Sequence, residues 1–521
     1  MFENRCEGTI GLYQAMLRAR WPICLLGCIG MLAGCMQVKP QAEFARTRQL
    51  IGDRTGAEAV YDPDADTLSA DEIETMLADA LTIEEAVGLA LLNNRRLQAE
   101  FMAIGSVKAD LVQAGLLSNP TFAFSAQFPE GGGRSNVQAT LAQNIADLWQ
   151  IPKRKKAAGA ELNETILRVA HFATNLAQET KIDYYRAKAA EELRAVAEKN
   201  LGLVNKSYEA VKSQREAGAA SLLDENLARG QVLKGELGVR NARLDAANAK
   251  RALARRLSLS QSVEALLLAD SLPEFSVPTP AAEDAIERAR ESRLDIQAVE
   301  QSVQSLLAKM ELEKRKVFPD MTIGPFMERT DRRATPGRNV AADFVRSSLA
   351  NGALTAPDIQ SRRERRQQRS QEIDFLLGPA LSMTLPIFDQ NQAQIGKAWY
   401  AYLRELKEYE AFLIDIAQNI RSAVDEASTA QTNAVYYRNE LVPQASRSLE
   451  FASASYTAGQ TNILTLLEAQ RSALEAQRGL TNTLLEACIA RARLEQEVGT
   501  RLDRSHGPED KGDGATEPTT P

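Results

Sequence analysis

The chain has 521 residues, of which 25% are charged and 6% aromatic, and its net charge at pH 7 is −7. No basic domain stands out, so the charge pattern excludes nucleic-acid binding as the main activity. Length alone would permit several ordinary domains, but that expectation fails if the chain contains an internal repeat.

The N-terminus has the pattern of a secretory signal. Two arginines precede WPICLLGCIGMLAGC, an apolar stretch shorter than the roughly 20 residues of a membrane-spanning helix. The stretch resembles a bacterial lipobox, so we expect residues 1–34 to be removed and Cys35 to carry acyl chains, palmitate among them. The alternative is an ordinary signal peptide with a chance cysteine. Translation starts at either Met1 or Met16.

Removal of the signal would leave two cysteines, Cys35 and Cys488. Because Cys35 would be blocked by lipid, we expect no internal disulfide. Cys488 lies in a helical pattern rich in alanine and leucine, which predicts a small buried hydrophobic residue.

The chain repeats itself. EEAVGLALLNNRRLQAE (84–100) aligns with EDAIERARESRLDIQAVE (283–300) at an offset of 199 residues, and the same frame also aligns a proline. Each half opens with one predicted helical stretch, 82–117 or 281–316, in which apolar residues recur three and four positions apart. A proline follows each stretch and ends it.

Two strands follow in each half, where apolar and polar residues alternate. They are predicted at about 120–129 and 136–148 in the first half, and at about 319–328 and 376–388 in the second. Strands of this length cross a bilayer when tilted, and one apolar face with one polar face is the pattern of a membrane barrel. A half-buried soluble sheet is the alternative, and the predicted acyl anchor favours the barrel.

Four strands cannot close a barrel, and open sheet edges are not tolerated in lipid. The sequence therefore predicts oligomerisation, with 8 strands from two copies or 12 from three.

Very long helices follow the strands. Residues 153–257 are rich in good helix formers and are interrupted at EAGAAS, and the second half repeats this at 390–457 and 461–498. We expect Pro443 to kink the helix or mark a junction. Helices of this length have no globular core to pack into, so they are predicted to pair as coiled coils.

The helices of each half are joined by related sequences, AGAASLLDENLAR (217–229) and AGQTNILTLLEAQ (458–470). Each is predicted to reverse the chain, with Gly218 and Gly459 at positions that often need positive φ. The apolar pairs Leu222-Leu223 and Ile463-Leu464 are predicted to restart the coiled-coil seam.

The halves differ in a long insertion, the loop 329–375, which contains QSRRERRQQRSQE at 360–372. A mobile polar loop is the simplest interpretation. An arginine ring that tunes a pore entrance or binds lipid phosphate on the cell surface is the alternative. The tail from residue 503 has a composition typical of disorder.

These features together resemble the TolC-like outer-membrane efflux factor family. GPALSMTLPIFDQNQAQIGKA (378–398) and YTAGQTNILTLLEAQRSALEAQ (456–477) are most similar to its heavy-metal and cation efflux branch. The resemblance implies a mainly α fold with a small membrane β portion. It implies a homotrimer whose 12-strand β-barrel lies in outer-membrane lipid and continues as an α-helical barrel through the periplasm.

The resemblance also implies partners. Family members are exit ducts that dock onto a periplasmic adaptor, the membrane fusion protein, and an inner-membrane pump, which we expect to be proton-driven. The predicted function is passive conduction of heavy-metal cations or drugs out of the cell. The alternatives are the outer-membrane component of a type I protein secretion system and a non-conducting coiled-coil lipoprotein scaffold.

In the family, acidic residues just beyond the turn glycine line a periplasmic gate. The matching positions here are Asp224, with Glu225 beside it, and Glu468; a further family position carries Thr465 instead of an acid. Acidic rings favour cations. The alternative is that Asp224 and Glu225 are solvated residues of a helix first turn, where acids are favourable.

We find no catalytic constellation in the sequence, no phosphate-binding glycine loop and no histidine cluster, so we predict neither an enzyme nor a bound cofactor or metal. The sequence predicts this order of segments: signal 1–34, periplasmic extension 35–80, first repeat 81–258, linker 259–280, second repeat 281–500 and disordered tail 501–521.

Overall fold

A computed structural model describes residues 37–65, 68–128, 135–259, 266–273, 279–317, 321–331, 340–354 and 373–502. The helices are α1 Gln41–Thr55, α2 Ala70–Leu77, α3 Ile83–Asn93, α4 Arg95–Ala114, α5 Asp147–Glu216, α6 Leu222–Arg256, α7 Ala282–Ser292, α8 Leu294–Arg315, α9 Val340–Asn351, α10 Gln392–Tyr436, α11 Val442–Thr457 and α12 Ile463–Val498. The strands are β1 Thr121–Gln127, β2 Asn136–Asn144, β3 Met321–Asp331 and β4 Ile373–Met383.

The strands form one antiparallel sheet in the order β1-β2-β3-β4, so the two halves of the chain share it. One face of the sheet is mainly apolar and the other mainly polar, although the register also pairs unlike residues, such as Gln143 with Ile323 and Glu328 with Leu376. Phe124, Ala139, Met327 and Leu377 form one row across the sheet, and Ser125, Gln138 and Glu328 form a row on the opposite face. The amide of Gln138 donates a 3.0 Å hydrogen bond to Glu328. The alternation predicted for the strands therefore holds at most positions and is broken at a few, such as Leu376 on the mainly polar face and Arg329 on the mainly apolar face.

The apolar face of this sheet is uncovered within one chain. Phe122, Phe124, Leu377 and Leu381 are each more than 60% exposed. Monomeric soluble proteins rarely leave such a contiguous apolar surface in water.

Two strands end earlier than predicted. β2 stops at Asn144 because the Asn144 side chain accepts a hydrogen bond from the Ala146 amide, and Asp147 already begins α5. β4 runs from Ile373 to Met383 rather than over 376–388, because its partner β3 begins at Met321 opposite Met383. Pro386, which follows, has no N–H for a ladder.

Each predicted first helix is two helices. The breaks fall at Asn94 and Arg293, both in extended conformation with ψ of 115° and 121°. Asn94 donates to the Arg256 carbonyl at 2.8 Å, and Arg293 donates to the Glu497 carbonyl at 2.6 Å. In each half, the residue at the break thus donates a side-chain hydrogen bond to the C-terminal end of the last long helix. The repeat extends to this tertiary contact, which sequence periodicity does not reveal.

The long helices form an extended layer. The 70 residues of α5 span about 105 Å at 1.5 Å per residue. α6 packs along α5, α5 along α12, and α12 along α10 and α11. In one chain, α6 and the α10–α11 pair therefore lie at the two edges of the layer.

The second hairpin contains the junction expected near Pro443. A π-helical turn, Tyr437–Leu441, separates α10 from α11, and Pro443 lies in the first turn of α11. Proline lacks the N–H that would continue the α-helical ladder, so the turn widens before it.

The largest apolar core lies where the short helices pack on α5. It includes Phe101, Ile166 and Tyr184, all at most 1% exposed. Tyr184 donates to the Leu81 carbonyl at 2.8 Å, and Leu81 pairs with Leu268, so the linker between the halves is attached to this core. Across the described residues, we find no helix long and apolar enough to span a bilayer.

The long insertion differs from the predicted loop 329–375. Both strands extend into it, to Asp331 and from Ile373, and residues 340–351 form α9. The arginine-rich segment 360–372 lies outside the described residues.

Candidate functional site: the paired hairpin tips

The two hairpin turns have the same backbone geometry. Gly218 has φ of 76° and Gly459 has φ of 71°. The Ala219 amide donates to the Gln214 carbonyl at 2.7 Å, and the Gln460 amide donates to the Ser455 carbonyl at 2.9 Å. This is the bonding of a Schellman motif, in which a left-handed residue reverses the chain after a helix. Both turns use a glycine because other residues adopt positive φ at a cost.

The helix that leaves each turn is capped in the same way. The Ser221 hydroxyl accepts from the Asp224 amide at 3.2 Å, and Asp224 accepts from the Ser221 amide and hydroxyl at 2.9 and 2.7 Å. In the second turn, Asn462 accepts from the Thr465 amide and hydroxyl, each at 3.0 Å. Asp224 therefore completes a capping box, whereas Thr465 is the uncharged residue at the same place.

The hydrogen bonds from Ser221 lower the pKa of Asp224 below its usual value. The side chain itself is exposed to solvent, at the entrance to α6. The shift favours the charged form of Asp224, which also caps the helix. The contacts of Asp224 are those expected of an acidic residue in the first turn of a helix.

Glu225 and Glu468 differ in their surroundings. Glu225 forms a salt bridge with Arg215 across the first turn, and its side chain is only 16% exposed. Glu468 is 69% exposed, and its nearest cation, Arg471, lies at 3.9 Å on the same helix. Glu225 is therefore paired with a cation of the first hairpin, whereas Glu468 has a cation only on its own helix.

The hairpin tips pack against each other through a small apolar cluster. Val211 and Ala228 of the first hairpin contact Ile463, Leu466 and Leu467 of the second. The predicted seam is confirmed at Ile463, which is 2% exposed. It is wrong at Leu222, Leu223 and Leu464, which are 63%, 66% and 55% exposed, because only one face of each helix meets the neighbouring hairpin.

Two polar contacts join the same tips. Tyr456 donates to the Gln214 amide oxygen at 2.7 Å, and the Gln470 amide donates to the Ser207 hydroxyl at 2.6 Å. Burial raises the pKa of Tyr456, with the Asp224 charge as the second cause. Sequence reasoning did not single out these residues. For Gln214 and Tyr456, the signal was their place in the last helical turn before a turn glycine.

The sequence also singled out two cysteines. Cys35 lies outside the described residues. Cys488 is fully buried, and burial raises its pKa to about 12, so its thiol is uncharged and inert at neutral pH.

The one histidine in the described chain, His171, is half-buried between α5 and α8. Its ring lies 2.8 Å from the Asn175 amide and 3.8 Å from Asp295, and burial lowers its pKa. Over the residues with described structure, no group of three histidine, cysteine or acidic side chains has the geometry of a metal site.

Comparison with known proteins points to one family. Residues 285–500 match the family described as outer membrane efflux protein. The cobalt-zinc-cadmium resistance protein CzcC of Cupriavidus metallidurans is 23% identical over 423 residues, which cover 80% of this chain and 90% of that protein.

Solved channels share the fold. CusC, described in a structural study of its folding and transmembrane channel formation, superposes with a TM-score of 0.62 at 16% identity, over 80% of this chain and 92% of its own. The open state of the MtrE outer membrane channel of Neisseria gonorrhoeae has a TM-score of 0.60 at 16% identity, over 86% and 96%. The resemblance to outer-membrane efflux proteins predicted from the sequence is confirmed.

Proposed function

We propose that this chain, as an outer-membrane efflux protein, forms the passive exit duct of a tripartite efflux system. The observation that carries the proposal is the sheet. Its four strands share one mainly apolar face, as in the row of Phe124, Ala139, Met327 and Leu377, and a more polar face on the other side. An apolar exterior and a polar interior are what a water-filled barrel in lipid requires.

The duct is a homotrimer. In one chain, β1 and β4 are sheet edges, and unpaired edges are not tolerated in lipid. Three copies supply 12 strands, as the family resemblance implies. The helical layer has matching edges: α6 exposes Leu233 and Leu237, and α10 exposes Val435 and Tyr436. Head-to-tail packing of one edge on the other would cover these side chains and close both layers into a ring.

The helical part extends through the periplasm toward its partners. With helices of about 105 Å, the hairpin tips lie far from the sheet. We place the periplasmic adaptor at these tips, where Leu222 and Leu223 offer uncovered apolar surface. Because we assign no nucleotide site to this chain, the driving energy comes from a partner, the inner-membrane pump, which we propose to be proton-driven.

The tips form the gate. Around a threefold axis, Asp224 and Glu468 would each occur three times and make acidic rings that favour cations. We do not assign Glu225 to the gate, because its salt bridge with Arg215 stabilises the turn.

We further propose that Cys35 is acylated and anchors the trimer in the outer membrane, with the helices in the periplasm. The name of CzcC favours heavy-metal cations as cargo. Export of drugs or of proteins, the latter by a type I secretion system, is the second candidate.

Planar-bilayer conductance of the purified trimer tests the duct. We expect a small basal conductance that rises when Glu468→Gln and Asp224→Asn are combined, together with weaker cation selectivity. Glu236→Gln, an exposed acid on α6 remote from the tip, serves as the matched control and should change neither property. A trimer that inserts but never conducts, with or without the tip substitutions, would contradict the duct and support the scaffold.

A further inference from the structure

Helix α9 lies at the end of the sheet opposite the long helices. β3 ends at Asp331 and β4 begins at Ile373, and α9 is part of the connection between them. The long helices α5 and α10 follow the other ends of β2 and β4. In the proposed duct, α9 is therefore on the cell exterior.

One side of α9 exposes aliphatic side chains to solvent. Val345 and Leu349, one helical turn apart, are 52% and 77% exposed, whereas Ser347 on the opposite side is half-buried. Ser347 and Ser348 each make a polar interaction within the chain. Phe344 is half-buried like Ser347 and Ser348, so the exposed apolar surface of α9 is the side that carries Val345 and Leu349.

A surface helix of a soluble protein turns its apolar stripe toward the core. Val345 and Leu349 leave apolar area in contact with water, which is unfavourable unless something apolar covers it. Leu354, just beyond the end of α9, is 86% exposed and extends the uncovered surface.

Exposed aromatic side chains at the same end of the sheet indicate that lipid covers the apolar surface of α9. Phe128, just after β1, is 81% exposed, and Phe375, near the start of β4, is 60% exposed on the apolar face. Aromatic side chains gather where a membrane barrel meets the lipid headgroups. α9 belongs to the connection that leaves this same end of the sheet.

We propose that α9 lies on the outer leaflet of the outer membrane, with Val345 and Leu349 inserted among the lipids beside the barrel rim. This inference rests on the proposed function, because it needs the sheet to be in the membrane. It gives the long insertion a role that a mobile polar loop does not have: an interfacial helix that fixes the depth of the barrel from outside.

Site-directed fluorescence tests the proposal. Val345→Cys, Leu349→Cys and Ser347→Cys are each labelled with an environment-sensitive dye in trimers reconstituted in phosphatidylcholine vesicles that carry shallow doxyl lipids. The native Cys488 is fully buried and does not compete for the label. We expect quenching at least about twofold stronger at Val345 and Leu349 than at Ser347, which faces away.

Two control positions separate this inference from the barrel itself. Phe124→Cys on the apolar face of the sheet should be quenched by deep doxyl lipids, and Gln138→Cys on the polar face should not be quenched. Failure at Phe124 would contradict the proposed barrel, whereas quenching at Phe124 without quenching at Val345 and Leu349 would overturn only the role of α9.

The outcomes also distinguish a protein partner. If labels at Val345 and Leu349 are shielded both from doxyl lipids and from aqueous iodide, a second copy of the chain covers α9 and the proposal is wrong. Should a labelled variant fail to assemble, Leu349→Trp with brominated lipids gives the same measurement without a label.

Discussion

The hydroxyl of Tyr456 donates a 2.7 Å hydrogen bond to the side-chain oxygen of Gln214, which joins the last turn of α11 to the last turn of α5. It connects the two halves of the chain at the tip, beside the apolar cluster of Val211 and Ile463. A gate that opens by separating the hairpins would have to break it.

We expect Tyr456→Phe to loosen the tip. The substitution removes one interhairpin hydrogen bond, which typically contributes about 1 kcal/mol, while it keeps the aromatic packing. Basal conductance of the trimer should rise without the adaptor. Tyr208→Phe is the matched control, because Tyr208 packs in the same cluster and its hydroxyl has no hydrogen bond to the described residues. Equal conductance in the two variants would show that the bond does not hold the gate.

The turn glycines should be the most sensitive positions of the hairpins. Gly218→Ala and Gly459→Ala place a Cβ at φ of 76° and 71°, at a cost of about 1–2 kcal/mol each in the free energy of unfolding. Gly238→Ala is the control, since its Cβ would meet open space in the middle of α6 and should stabilise the helix by up to about 1 kcal/mol. Thermal unfolding in detergent shows whether each substitution lowers or raises the free energy of unfolding. A stabilising Gly218→Ala would contradict the expected cost of a Cβ at positive φ.

Gly324 should be essential to the sheet. A Cβ on Gly324 would collide with the Leu141 carbonyl of the neighbouring strand, a backbone group that cannot move aside. We expect Gly324→Ala to reduce trimer assembly, as measured by native gel electrophoresis. Gly378→Ala, on the adjacent strand, has no atom within 4 Å of its Cβ and should assemble normally. The prediction is wrong if both variants assemble alike.

The capping box should make the tip sensitive to acid. Hydrogen bonds from Ser221 lower the pKa of Asp224 in the folded state, so the native chain favours the charged form. The stabilisation is present above the unfolded-state pKa and is lost as the pH falls through the folded-state pKa. Because Asp224 is exposed, we expect a small effect, at most about 1 kcal/mol, confined to acidic pH.

Replacement of the capping partner tests this acid sensitivity. Ser221→Ala should lower stability at neutral pH and flatten the acid dependence, whereas Ser69→Ala, in the capping box of α2, should leave the tip unchanged. Hydrogen exchange at the start of α6 between neutral and acidic pH gives the measurement. An unchanged pH profile in Ser221→Ala would remove Asp224 as the cause.

Much of this molecule could be predicted from local sequence. The spacing of apolar residues, three to four positions apart in helices and two apart in strands, distinguishes the two structures without any tertiary contact. The alternation in TFAFSAQ assigns Phe122 and Phe124 to one face of a strand. The offset of 241 residues between Gly218 and Gly459 likewise places two equal turns, since positive φ is a property of a single residue.

Properties that depend on a neighbouring element could not be read from the sequence. Nothing local distinguishes Leu222, which is exposed, from Ile463, which is buried at the contact between hairpins. The helix breaks at Asn94 and Arg293 depend on carbonyls some 160 and 200 residues further along the chain.

The sequence by itself therefore determined the kind and order of the elements and the duplication, because backbone periodicity is a local property. Only the tertiary structure decided which acidic side chains at the tips are exposed and which are ion-paired or hydrogen-bonded. Arg215 pairs with Glu225, Ser221 binds Asp224, and Glu468 is left exposed. The energy of a charge depends on the atoms that surround it, and folding brings those atoms together.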